Sequence, residues 1–102
     1  MKIPKKVKIG WREFQINENE GKRDDNGSLL DGQISYEERT IYLNKDYGIE
    51  QEKVSLLHEI MHGIFNKQGH SEWRTDENLV DAIAEGLYEL INDNPELFKE
   101  DK

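Results

Sequence analysis

The sequence contains no cysteine, so neither a disulfide framework nor a Cys-ligated metal centre is open to it, and the absence suits a reducing compartment. No apolar run approaches the roughly 20 residues of a membrane span, and the first residues lack the apolar stretch and small-residue cleavage site of a secretory signal. A soluble, cytoplasmic protein without a membrane partner is therefore expected. Cations are scarce relative to anions: 14 Lys and Arg stand against 22 Asp and Glu, a net charge of −8. That balance repels polyphosphate at long range and disfavours nucleic acid as a partner. The basic cluster Lys2, Lys5, Lys6 and Lys8 interleaves with Ile3, Val7 and Ile9. It reads as a solvated strand face with a lysine-protected edge.

Apolar residues are lean, 34% against 35% charged, yet Leu, Ile, Val and Phe still make up about a quarter of the chain, above the level of intrinsic disorder. At 102 residues, a single domain over 1–102 with a small core is expected, and cores of that size often need a metal or a partner.

Residues 3–18 read as two strands joined around Gly10 to Glu13, because Val7, Ile9 and Trp11 alternate and Phe14 to Ile16 follow. Residues 17–28 are polar and rich in turn formers, a mobile loop that would serve as a plain connection or as a lid beside a cleft. Gln33 to Tyr36 and Thr40 to Leu43, around Glu37-Glu38-Arg39, read as a hairpin. From Glu50 to Lys67 the period becomes helical: Val54, Leu57, Met61, Ile64 and Phe65 form one stripe, and Leu56 and Ile60 widen it. Gly69 marks the stop. A second helix is expected from Asp76 to Asn92, capped by Thr75, with Leu79, Ile83, Leu87 and Leu90 as its core stripe. Residues 96–102 are expected to fray. Gly63 and Gly86 are costly inside helices, so each predicts a close approach. The order predicts an α+β fold in which an antiparallel or mixed sheet of about three to four strands packs on two C-terminal helices.

The first helix contains His58-Glu59-Ile60-Met61-His62, an H-E-x-x-H pentad. A spacing of four puts both imidazoles on one helix face, one turn apart, where they can bind one metal ion. Two neutral imidazoles on an already apolar helix would otherwise cost desolvation without a partner. A catalytic zinc site uses three protein ligands and keeps a fourth position for water, so a further His, Glu or Asp is required. The metzincin extension fails, since Phe65 and Gln68 stand where it needs Gly and His. His70 and the acidic stripe Glu77, Asp81 and Glu85 of the second helix remain as sources.

The pentad followed by Glu77-Asn78-Leu79-Val80-Asp81-Ala82-Ile83-Ala84 resembles the ImmA/IrrE family of gluzincin-like metallopeptidases, including small forms encoded by phages and mobile elements. There the pentad is followed by Glu-x-x-Ala-Asn-x-Phe-Ala. Position by position, Glu77 falls on the family's third zinc ligand, Val80 on its Ala, Asp81 on its Asn, Ile83 on its Phe and Ala84 on its final Ala. The resemblance covers roughly residues 29–91. Gly86-Leu87-Tyr88-Glu89 departs from the family's Leu-Leu-Met-Pro-like ending, which leaves cleft shape and substrate open. The resemblance implies a minimal zincin-like fold with an extended substrate along a sheet edge, one Zn²⁺ held by His58, His62 and Glu77, and a protein or peptide substrate such as a transcriptional repressor.

In that motif Glu59 is the general base and acid of a zinc metallopeptidase. Asp81, one turn after Glu77, is the candidate for accepting the free N–H of a ligand imidazole. Tyr88, His70 and Arg74 are candidates for stabilising the oxyanion, and the sequence singles out none of them. Trp73 reads either as a binding-loop aromatic or as a cap over the helix pair. The competing expectation is a non-catalytic, zinc-stabilised protein-binding module on the same scaffold. Glu59 separates the two, because a structural zinc site has no need of a base. The sequence does not specify the oligomeric state.

Overall fold

The computed structural model describes residues 1–99. The chain runs through β1 (Lys6–Ile9), β2 (Arg12–Asn17), β3 (Gly32–Ser35), β4 (Thr40–Leu43), α1 (Ile49–Gln68), the single turn α2 (Ser71–Arg74) and α3 (Glu77–Asp93), with 3-10 turns at Lys45–Tyr47 and Pro95–Phe98. It is an α+β arrangement with a four-stranded mixed sheet in the order β1-β2-β4-β3. β1 and β2 are antiparallel, as are β3 and β4, while β2 and β4 run parallel, with Ile16 opposite Ile41. The parallel pair arises because the chain leaves β2, steps over the slot that β4 later fills, and enters at the far edge as β3. β4 is therefore interior and β3 is the outer strand.

Alternation sends one side chain in two toward the helices. Ile9, Phe14, Ile41, Leu43 and Leu56 form the buried cluster, with Val7, Ile34, Tyr36, Ile60 and Ile64 packed against it. Lys6 and Lys8 point to solvent from the edge strand β1, in keeping with their expected role there. The segment after β2 folds on its own polar groups: Asn17 Oδ1 accepts from the backbone N–H of Asn19 and Glu20, and Asp24 Oδ1 from that of Asn26 and Ser28. The fraying expected over 96–102 lies partly outside the described residues; within them Pro95–Phe98 forms its 3-10 turn.

α1 is buried on more than one side, as its widened apolar stripe predicts. Leu56, Ile60, Gly63 and Ile64 face the sheet, and Leu57 and Phe65 are buried as well. Gly63 allows the close approach: a Cβ there would lie 2.7 Å from Ile9 Cδ1 and 3.1 Å from Ile34 Cδ1. Gly86 does not mark one, since among the described residues nothing lies within 4 Å of its Cβ position. At the end of α1 Gly69 turns left-handed (φ 78°), its N–H donating to Asn66 O at 3.2 Å and that of His70 to Phe65 O at 3.0 Å. Both bonds satisfy carbonyls that a helix end would leave open.

Two details of α3 differ from the sequence expectation. Its cap is Asp76, whose Oδ1 accepts from Leu79 N at 3.1 Å, whereas the Thr75 hydroxyl turns back and donates to Ser71 O. A carboxylate at this end also meets the positive end of the helix dipole. Its buried line is Val80 and Ala84, with Leu79, Ile83 and Leu87 half-buried and Leu90 42% exposed. At 100° per residue that line sits roughly a quarter turn from the leucine stripe. α3 packs on one helix rather than between two layers, and two small side chains permit the nearest approach.

Candidate metal centre

The rotation of α3 brings its first turn over the middle of α1. Glu77 Oε2 lies 3.0 Å from His58 Nε2, and Glu77 Oε1 lies 3.1 Å from His62 Nε2. The two Nε2 atoms are 3.0 Å apart. Ligand atoms from these three residues all lie within 4.8 Å of one another, so the group could hold a metal ion. On the other side of its ring, His58 Nδ1 lies 2.7 Å from Asp81 Oδ1.

Donor chemistry tests the fit. A hydrogen on His58 Nδ1 bonded to Asp81 leaves the Nε2 lone pair facing Glu77, and an ionised carboxylate offers only acceptors. With His62 also presenting the lone pair of Nε2, the lone pairs of all three residues converge on one point, an arrangement that suits a cation. Metal–ligand arms of about 2.0–2.1 Å in a tetrahedron separate ligand atoms by about 3.3 Å, close to the spacings here. The Glu77 side chain is 64% exposed, so solvent reaches the point where the ligands meet.

Glu59 sits beside this cluster rather than in it, its Oε2 4.0 Å from His58 Nε2. It is 7% exposed because it points under β3, where Gly32 makes room: a Cβ at Gly32 would lie 3.4 Å from Glu59 Cγ and 3.2 Å from the Tyr42 carbonyl oxygen. Burial pushes the Glu59 carboxyl up to about 7; the neighbouring His58 opposes this, Glu77 adds to it, the Ile34 backbone N–H opposes it by hydrogen bonding, and Asp81 adds a little. A carboxyl balanced near neutrality is suited both to accept and to release a proton.

A cleft of about 520 Å³ opens over these groups. β3 with Leu30, Gly32, Gln33 and Ile34 makes one wall, His58, Glu59 and His62 the floor, and Arg74, Thr75 and Glu77 the other wall, with Tyr36 at one end. A second cavity of about 370 Å³ shares His58 and Glu59 and continues toward Asp31, Gln51, Asp81 and Glu85.

Of the three oxyanion candidates, Arg74 lies in the cleft. His70 does not join the metal-binding group: its ring stacks on Trp73, with centroids 3.8 Å apart and planes 25° apart. Trp73 in turn meets Phe65 edge-on, so it caps the end of α1. Tyr88 lines neither cavity around the cluster. The sequence reading had not singled out Tyr36 or Gly32. The alternation that turns Ile34 inward puts both on the same face, but nothing local shows which helix residue will lie opposite. The chain matches no family model, no curated protein and no solved structure. Among the described residues, no helix is long and apolar enough to cross a membrane.

Proposed function

We propose that the protein is a zinc-dependent metallopeptidase that hydrolyses a peptide bond in a protein or peptide substrate. The observation that carries this is the convergence of His58, His62 and Glu77 with a buried Glu59 beside them on the floor of an open cleft. A purely structural metal site has no use for a buried carboxyl next to its ligands and usually closes its fourth position with protein. The zincin-like scaffold and the resemblance to ImmA/IrrE peptidases fit the same reading, in which the substrate is a regulator such as a transcriptional repressor.

Bound zinc supplies Lewis acidity, acidifying a water and polarising a carbonyl. His58, His62 and Glu77 would hold the ion, and Asp81 would fix the His58 tautomer. Glu59 takes a proton as water oxygen bonds to the carbonyl carbon and delivers it to the nitrogen as the C–N bond breaks; the second proton of the water also passes to the amine, leaving a carboxylate and an ammonium. β3 is the outer strand bordering the cleft, and its free edge suits an extended peptide held by main-chain hydrogen bonds.

The test is the metal content of purified protein beside Glu77→Ala, followed by incubation of the zinc-loaded protein with a proteome-derived peptide library read by mass spectrometry. One zinc per chain with cleavage that Glu59→Gln abolishes is expected. Stoichiometric zinc with no cleavage of any peptide would point instead to a zinc-stabilised binding module.

A further inference from the structure

Where β1 turns into β2, charged and apolar side chains change places. Ile9 pairs with Arg12 across the turn, and Arg12 stands two residues before Phe14, so all three belong to the side of the sheet that faces the helices. Ile9 and Phe14 are buried there. Arg12 holds a position where the alternation calls for an apolar residue, and it is exposed. Trp11, on the turn itself, is 66% exposed, and the guanidinium carbon of Arg12 lies 4.8 Å from its ring centre. Stacking of this kind steadies a guanidinium and leaves the N–H groups at its edge free.

Lys67, in the last turn of α1, reaches the same turn. Its stem lies across Gly10, where a Cβ would be 2.7 Å from Lys67 Cε and 3.1 Å from Cδ and Cγ. A cavity of about 240 Å³ lies among these residues. Ile9, Phe14 and Gly63 are its buried lining, and Trp11, Arg12, Asn66 and Lys67 its exposed lining, so it is apolar at the bottom and cationic at the rim. Among the described residues Arg12 and Lys67 form no ion pair, and no carboxylate lines the cavity. Both cavities over the metal-binding group, by contrast, are lined by carboxylates. In a chain of net charge −8, two unpaired cations at one cavity mark a place where an anion is favoured. The nearby carbonyls of Phe65 and Asn66, which would repel an anion, are already taken up by the N–H groups of His70 and Gly69.

Size and chemistry narrow the occupant. The volume is below the roughly 300 Å³ at which pockets for drug-sized ligands begin, so a group the size of one amino-acid residue fills it. An Asp or Glu within a chain brings a carboxylate but little apolar surface to cover Ile9 and Phe14. The last residue of a chain, when apolar, brings both. We propose that this cavity binds the C-terminal residue of a protein or peptide ligand, with an apolar side chain against Ile9, Phe14 and Gly63 and the free carboxylate between Arg12 and Lys67. Arg12 meets the carboxylate with its fork of paired N–H groups, and Lys67 adds a point charge. Tyr36 lines both this cavity and the cleft over the metal-binding group, so the two adjoin at that side chain. The site uses none of the metal-binding residues and stands whether or not the metal centre hydrolyses peptides.

The test uses the full-length protein freed of metal with a chelator, so that a carboxylate has no metal ion to bind. N-acetylated alanine pentapeptides ending in Leu are titrated as the free acid and as the C-terminal amide, beside an amide that carries Glu before the Leu. Calorimetry gives affinities, circular dichroism follows the fold of each variant, and in Trp73→Phe protein the emission of Trp11, then the sole indole, reports on the rim. The free acid is expected to bind at least about tenfold more tightly than either amide and to move Trp11 emission to shorter wavelength. Arg12→Gln is expected to remove that preference while leaving amide affinity within about threefold of wild type. Arg12→Lys should restore part of it, and Lys67→Gln should reduce it. A free acid that fails to bind, or binds no more tightly than its own amide, overturns the assignment. So does a Glu-containing amide that matches the acid, since the ligand would then be an internal acidic residue. A preference unchanged in both Arg12→Gln and Lys67→Gln places the carboxylate elsewhere and overturns it as well. Should Arg12→Gln fail to fold, Lys67→Gln and the Trp11 emission decide in the same way. None of these outcomes bears on the peptidase reading, which is decided by cleavage with zinc bound.

Discussion

His58 Nδ1 lies 2.7 Å from Asp81 Oδ1 while Nε2 of the same ring faces Glu77 at 3.0 Å, so one imidazole is gripped from both sides by carboxylates one helical turn apart. The turn spacing of α3 thus assigns the two ring nitrogens different tasks. A carboxylate behind a ligand imidazole sets the tautomer and raises its basicity, and losing such a group typically weakens metal binding about 10–100-fold. Asp81→Ala is therefore expected to bind zinc about 10–100-fold more weakly with its helical content intact, measured by competition with a chromophoric chelator. Wild-type affinity in this variant would show that Asp81 is only a solvated carboxylate.

Removal of the metal should be felt in the fold as well. His58 and His62 belong to α1 and Glu77 to α3, so a bound ion ties together two helices whose direct buried contact on the α3 side is the small pair Val80 and Ala84. Free metal at about 100 times its Kd stabilises the folded state by about 2.7 kcal/mol. Zinc addition to metal-free protein is expected to raise Tm in wild type and to leave Glu77→Ala nearly unmoved, followed by circular dichroism. Equal shifts in both would place the metal elsewhere.

Glu59→Gln separates binding from chemistry. The amide keeps the side-chain volume under β3 beside Gly32 and removes the proton acceptor, so the metal and fold should persist while turnover falls by about 10²–10⁴. Metal analysis and cleavage rates on one preparation check this. A variant that loses its metal would make Glu59 a ligand and end its assignment as base.

Much of this was legible in the residues, and the gaps have physical reasons. The pentad and the α1 stripe are local patterns that depend only on helix period; both lie on α1, and of the stripe Leu57 and Phe65 are buried while Val54, Met61 and Ile64 are half-buried. Glu77 as the third member of the cluster could not be read from spacing, because His70 and three acidic residues met that requirement equally; the family resemblance pointed to it, and the fold brings it together with the histidines. The Leu79, Ile83, Leu87 and Leu90 stripe misplaced the buried line of α3, since hydrophobicity ranks side chains by size whereas closest approach favours the smaller Val80 and Ala84. Strand alternation reported that Gly32, Ile34 and Tyr36 share a face. It did not report that β3 lies outermost, a matter of long-range pairing with β4, so the relation of Tyr36 to Glu59 and Arg74 stayed hidden.

A second buried carboxyl provides a test away from the metal cluster. Glu52, in the first turn of α1, is 3% exposed, and among the described residues its Oε2 has no hydrogen-bond partner. Burial pushes it from 4.5 up to about 7, the adjoining Glu18 carboxyl adds to the rise by hydrogen bonding and like charge, and Lys45 opposes it. Because the folded-state value lies above the unfolded one, the folded protein keeps a proton that the unfolded chain gives up between these values. Stability contributed by this group is therefore fully present below about pH 4.5, falls as pH rises toward about 7, and is level above that. Glu52→Gln removes the slope: its stability relative to wild type should increase between about pH 4 and pH 8, measured by urea unfolding of metal-free protein so that metal binding does not contribute. A difference between variant and wild type that stays constant with pH would mean that Glu52 ionises alike in the folded and unfolded chains.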